Sequence, residues 1–169
     1  MKYTSSEANK LLKKLNQDYQ NLLAIEQQSR SFVAATVEDV EAVRPEYDYA
    51  KMQNDIKAVC EKIRKVKHAI NVFNTTAIVD GFDMTIDEFL VYLPQLNERA
   101  VTLNRMQRAL PKAREQSYGS GPNATIDYRY INYDLDTVVR DYDEVCDLIT
   151  KGQTALDYLN NTAEIEIGI

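Results

Sequence analysis

The segment "TIDYRYINY" places Tyr128, Arg129, Tyr130 and Tyr133 within six residues of one another. Aromatic rings stack on flat π systems, and a guanidinium grips a phosphate through paired N–H donors. The chemistry this offers is capture of a nucleotide-like anion rather than bond breaking. A plainer reading is preferred. Alternating aromatics are ordinary in strands, so the tyrosines would simply cover one end of a helical bundle.

The other reactive side chains argue against catalysis. His68 is the single histidine. It has no metal-ligand companion and no nearby serine to activate, so it reads as a satisfied surface residue. Cys60 and Cys146 are too few and too isolated for a zinc site or a disulfide framework, and read as buried structural thiols. No Gly-rich phosphate loop is present, and Asp80-Gly81 alone is a turn. The chain is therefore expected to be no enzyme and to carry no cofactor and no metal.

Asparagines gather where long helices should end. Asn71 and Asn74 close one helix, and Asn160 and Asn161 close another. Capping in a left-handed conformation is their simplest role. The candidate ligand-binding set is Asn71, Asn74, Arg129, Tyr130 and Asn160, with a small anionic ligand as the expected guest.

Positioning these residues is a task for helices. The 169 residues suit a single domain, long enough to bury a core without staples. A net charge of −6 argues against general nucleic-acid binding, which needs a basic face. No apolar run is long enough for a bilayer, and "MKYTSSEANKLL" lacks a signal-peptide core, so no membrane contact and a cytoplasmic location are expected.

Thr4-Ser5-Ser6-Glu7 is a capping box opening a helix over about 5–30, with a seam at Ala8, Leu12, Leu15, Tyr19 and Leu22. Residues 31–46 are a connection with a short extended piece, and Pro45 suits the next helix start. The second long helix carries Tyr49, Met52, Ile56, Val59, Ile63, Val66, Ile70 and Phe73, and is roughly 37 Å long. Thr85 to Glu88 repeats the capping box ahead of Phe89, Leu93, Leu96, Ala100 and Leu103, with Met106 and Leu110 beyond. Pro94 should break or kink that helix. Residues 111–124 read as a mobile loop, and "TIDYRYIN" as a strand. The last helix shows Leu135, Val138, Tyr142, Val145, Ile149, Leu156 and Leu159, with Gly152 at the missing seam position to allow close backbone approach.

The helix from Tyr47 matches the helix from Tyr133 at an offset of 86 residues, including Asp55/Asp141, Cys60/Cys146 and Asn74/Asn160. The two capped helices match at an offset of 81, pairing Thr4 with Thr85 and Asn16 with Asn97. The expected repeats are 4–82 and 85–168. The fold expected is mainly α: two long antiparallel helical hairpins in coiled-coil-like, four-helix packing, with short β-strands at the helix ends. Lys57, Lys62, Arg64, Lys65 and Lys67 make one long helix basic. Asp134, Asp136, Asp141, Asp143, Glu144 and Asp147 make its counterpart acidic, the kind of pattern that sets partner choice in coiled coils.

Residues 47–165 resemble the septicolysin-like family of small bacterial proteins. The resemblance runs through Ile70-Asn71, Asn74 with its threonines, Asp80-Gly81 and the capped helix from Thr85. It continues with a strand before Val138 and a last helix ending in Leu159-Asn160-Asn161. Pro94 departs from the uninterrupted helix of that family. The resemblance implies a long-helix, oligomeric, all-α protein whose group has no established activity. Its name implies a cytolysin, yet no basic, aromatic-rich amphipathic face is present to support membrane action. The function expected is a non-enzymatic homo-oligomeric binding protein that sequesters a small nucleotide-like anion. One alternative is a scaffold that bridges or inhibits a protein partner through its helix faces, and the last, least supported by the residues, is an enzyme of unknown type.

Overall fold

The computed structural model describes residues 1–115 and 127–169. The chain is mainly α, with short antiparallel strand pairs at helix ends, and it forms two compact units: Met1–Ile78 with Leu156–Ile169, and Val79–Ala155. No helix of the described residues is long and apolar enough to cross a membrane.

The first unit begins with strand β1 (Lys2–Thr4) and helix α1 (Ser5–Ser29). The capping box is formed as read. Thr4 Oγ1 accepts from the Glu7 N–H at 3.2 Å, and Glu7 Oε2 accepts from the Thr4 N–H at 2.9 Å. Each bond satisfies a backbone donor that a helix start would otherwise leave unpaired. A one-turn helix α2 (Val40–Val43), capped by Asp39, interrupts the connection, which carries no heptad seam. Helix α3 (Tyr49–Thr76) starts four residues after its expected signal at Pro45. Asp48 is the cap instead, its Oδ1 accepting from the Lys51 N–H at 3.0 Å.

Gln53 donates to Glu26 at 2.6 Å, whereas Ala8 and Leu15 share a core cluster with Val66 and Ile70. Contacts that climb α3 descend α1, so the pair is antiparallel. After the last long helix, α5 (Leu135–Thr162), the chain ends in strand β6 (Glu164–Glu166), which pairs with β1 in the register Lys2↔Glu166, Tyr3↔Ile165, Thr4↔Glu164. The alternation turns Ile165 and Ile167 into the cluster. Ser6 Oγ donates to Asn161 at 2.9 Å and ties the start of α1 to the end of α5.

The second unit opens on a tight turn. Strands β2 (Ile78–Val79) and β3 (Met84–Thr85) pair around it. Phe82 N–H donates to Val79 O at 3.1 Å, and Gly81 takes φ 79°, which a residue with a β-carbon rarely adopts. Thr85 and Glu88 form the second capping box, and helix α4 (Ile86–Gln107) follows. α4 runs without interruption through Pro94. Proline there removes one N–H from the ladder, and the position is exposed, so the Leu90 carbonyl it leaves without a helical donor lies near solvent.

Leu96 and Leu103 of α4 bury against Val138 and Val145 of α5. Tyr133 Oη donates to Met106 O at 2.8 Å, Arg99 pairs with Asp141 at 3.7 Å, and the Phe89 ring lies against Gly152. These contacts again run in opposite directions, so this pair is antiparallel too. Burying Phe89 and Ile86 contributes about 1.5–3 kcal/mol each.

Helices α3 and α5 have 28 residues each, and their bounds lie 86 positions apart at both ends. Tyr49, at the head of the α3 seam, is exposed rather than buried.

Candidate functional site

Two strands carry the aromatic segment. β4 (Lys112–Arg114) pairs antiparallel with β5 (Tyr128–Tyr130), in the register Lys112↔Tyr130, Ala113↔Arg129, Arg114↔Tyr128. The strand expected at "TIDYRYIN" is present. Residues 112–114, inside the stretch read as loop, are its partner. The rest of that stretch, from 116, lies outside the described residues. Glu115 N–H to Asp127 O at 2.8 Å and Ile131 N–H to Pro111 O at 3.3 Å extend the ladder at both ends.

Directly opposed residues share a face, and neighbours along a strand alternate. Lys112, Arg114, Tyr128 and Tyr130 therefore form one face, and Ala113 and Arg129 the other. Tyr128 is 44% exposed and Tyr130 61%, whereas Tyr133 packs against the α4–α5 cluster as the plainer reading had it. Lys112 Nζ lies 4.1 Å from the Tyr128 ring centroid and 5.4 Å from that of Tyr130. An ammonium over an exposed ring gains about 0.5–1 kcal/mol, enough to order the face and weak enough to exchange. Among the described residues no carboxylate lies within ion-pair distance of Lys112 or Arg114.

Arg129 is engaged on the opposite face. Its Nε and Nη2 donate to the two Glu115 oxygens at 2.7 Å each. The Arg129 hydrogen bonds pull the Glu115 carboxyl below the usual carboxylate range, and Glu115 in turn pushes the Arg129 guanidinium up. The pair staples the strand ends and leaves Arg129 committed to a protein carboxylate.

Asn71, Asn74 and Asn160 belong to the first unit, whereas Arg129 and Tyr130 belong to the second. The asparagines do not cap. α3 continues to Thr76 and ends at Ala77 with φ −76° and ψ 130°. Among the described residues, the one non-glycine with positive φ is Asp83. Threonines serve the last turns instead. Thr75 Oγ1 donates to Asn71 O at 3.0 Å, Thr76 Oγ1 to Val72 O at 2.7 Å, and Thr162 Oγ1 to Tyr158 O at 2.7 Å. Asn71 is exposed, and Asn74 and Asn160 are half-buried.

His68 is exposed on α3, and Cys60 and Cys146 are half-buried free thiols rather than buried ones. Of the basic residues on α3, Lys65 pairs with Glu61 one turn earlier at 2.8 Å, and Lys57, Lys62, Arg64 and Lys67 face solvent.

Lys112 and Arg114 are the residues that sequence reasoning missed. The signal was the Lys-Ala-Arg alternation mirrored by Tyr-Arg-Tyr, hidden by the Gly- and Ser-rich stretch between them. Comparisons of the chain with protein-family models, with curated proteins and with solved structures found no match.

Proposed function

We propose that the protein is a non-enzymatic binding protein whose β4–β5 face captures a flat, anionic, nucleotide-like ligand. The observation that carries this reading is the exposed Tyr128–Tyr130 pair with Lys112 poised over both rings. A ligand ring would take the place of the ammonium against the tyrosines, and stacking is worth about 1–3 kcal/mol per base. The displaced Lys112, with Arg114, would then meet the ligand's phosphate. Tyr130 stays in the candidate set. Arg129 is engaged by Glu115, and Asn71, Asn74 and Asn160 lie near helix ends in the first unit.

Homo-oligomerisation and descent from a duplicated hairpin belong to the same proposal. The matched 28-residue bounds of α3 and α5 support the duplication. The resemblance to septicolysin-like proteins supports an oligomer.

Calorimetry with purine and pyrimidine mononucleotides, with inorganic phosphate as the control, tests the ligand. The reading expects heat from nucleotides that exceeds the phosphate control and disappears in Tyr128→Ala/Tyr130→Ala. No heat from any nucleotide contradicts it.

A second reading, docking to a protein partner, is favoured by Val33 and Val37, each 95% exposed in the segment between α1 and α3. A soluble domain has little reason to show two such valines to water unless something covers them.

A further inference from the structure

The α4 surface opposite the buried seam has a second apolar line. Leu96 and Leu103 face the core, whereas Leu90 is 46% exposed, Val101 60%, and Pro94 lies exposed between them. Spacings of 4 and 7 put Leu90, Pro94 and Val101 on one side of a helix. Neighbouring Val91 is 62% exposed.

The fold does not require this surface. At the offset of 81 that aligns the two capping boxes, α1 carries Asn9, Lys13 and Gln20 in place of Leu90, Pro94 and Val101, and Lys10 in place of Val91. These four positions are polar in one helix and apolar in the other.

The charges flanking the apolar line suggest what covers it. Asp87 stands at the N-terminal end of the face, and Arg105 and Arg108 at the C-terminal end, all exposed. The helix dipole alone favours that order of charges, but it does not explain the apolar middle. An antiparallel second copy explains both. With the two-fold axis between positions 97 and 98, Asp87 meets Arg108 of the other copy, Leu90 meets the aliphatic stem of Arg105, and Pro94 meets Val101. A two-fold contact must be self-complementary, and this face runs from acidic Asp87 through an apolar line to basic Arg105 and Arg108, with exposed Asn97 of each copy meeting Glu98 of the other at the axis.

We infer that α4 forms an isologous, antiparallel homodimer contact with a second copy of this chain through Leu90, Pro94 and Val101, flanked by Asp87–Arg108 pairs. This rests on the homo-oligomer part of the proposal above and assigns its surface. Sedimentation of the full chain over rising concentration tests it. The mass should climb from 19.4 kDa towards twice that value. Val101→Glu, at an exposed position, should hold the monomer mass with unchanged helical circular dichroism. Arg105→Glu/Arg108→Glu should weaken association roughly tenfold or more through like-charge contact with Asp87, and adding Asp87→Lys should restore it. A wild-type dimer untouched by Val101→Glu overturns this face and leaves the oligomer reading standing. A chain that stays monomeric at every concentration overturns both.

Discussion

The Phe89 ring occupies the space that a β-carbon at position 152 would need. A β-carbon built on Gly152 falls inside van der Waals contact with Phe89 Cζ, 3.0 Å from Phe89 Cε2 and 3.2 Å from Phe82 Cζ. Phe82 packs edge-on to Phe89 with centroids 4.8 Å apart, and Phe89 is fully buried, so the ring has nowhere to retreat. The positions corresponding to Phe89 and Gly152 in the first unit are Ala8 and Val66, both fully buried in one cluster. Large and small have exchanged sides. Under the proposed duplication, that is how the two hairpins would diverge while keeping a filled core.

Gly152→Ala should therefore destabilise the protein, against the usual sign for a helical glycine. Alanine gains about 1 kcal/mol of helix propensity. Overpacking against a confined ring costs about 1–3 kcal/mol, and the ring contact decides. Phe89→Leu in the same chain should recover part of the loss, read from denaturant midpoints as a double-mutant cycle. Additive effects would show that the two residues do not press on each other.

The capping boxes are the next point of attack. Thr4→Ala and Thr85→Ala should each cost about 1 kcal/mol, since each removes an acceptor for a helix-start N–H. Thermal unfolding of both variants checks this. A midpoint unchanged in either would mean that water replaces the cap there.

Acid should destabilise the fold through Glu88. Its carboxylate accepts from the Thr85 backbone N–H at 2.8 Å and the Thr85 hydroxyl at 2.9 Å, and these bonds hold it below the usual carboxylate range. Glu115 beside Arg129, and Asp134 bonded to the Thr137 hydroxyl and N–H, are lowered in the same direction. A group whose pKa is lower folded than unfolded contributes its full stability above the unfolded value. That contribution is lost as pH falls through the folded value. The unfolding midpoint should thus fall on titration from about pH 7 to about pH 3, and Glu88→Gln should show a shallower fall. Identical slopes for the two proteins would remove Glu88 from the account.

The asparagines give a contrasting expectation. Asn71→Ala, Asn74→Ala and Asn160→Ala should stay within about 0.5 kcal/mol of wild type in urea unfolding, because none supplies a left-handed cap. A loss above about 1 kcal/mol in any of them would restore the capping role.

Periodicity made the helices legible. Val66, Ile70, Leu96, Leu103, Val138 and Val145 are buried at the 3- and 4-residue spacings read from the chain. The capping boxes, the Asp80-Gly81 turn and the close approach at Gly152 were legible too, because each depends on a few adjacent residues or on one absent side chain. Helix ends were less so. Pro45 and the asparagines looked like boundary signals, but Asp48 caps the start of α3 through the Lys51 N–H, and Ala77 closes its end with its N–H on Phe73 O. Pro94 did not break α4, since tertiary packing of Leu96 and Phe89 outweighs one lost hydrogen bond. The candidate face was half legible. Tyr130 could be read from β5, but Lys112 and Arg114 reach it through a strand pairing whose partner sequence looks like loop.

The proposed binding through that face can be dissected residue by residue. Tyr130→Ala should weaken mononucleotide affinity by about five- to 150-fold, the range of one lost stacking contact. Arg129→Lys should change it little, since Arg129 answers to Glu115 on the opposite face. Equal losses in the two variants, measured by calorimetry, would place the ligand elsewhere.

The most direct measurement is amide chemical-shift mapping during titration with adenosine monophosphate. The account predicts saturable shifts concentrated at 112–114 and 128–130. Shifts confined to 71–74 and 160, or no shifts at all, would contradict it.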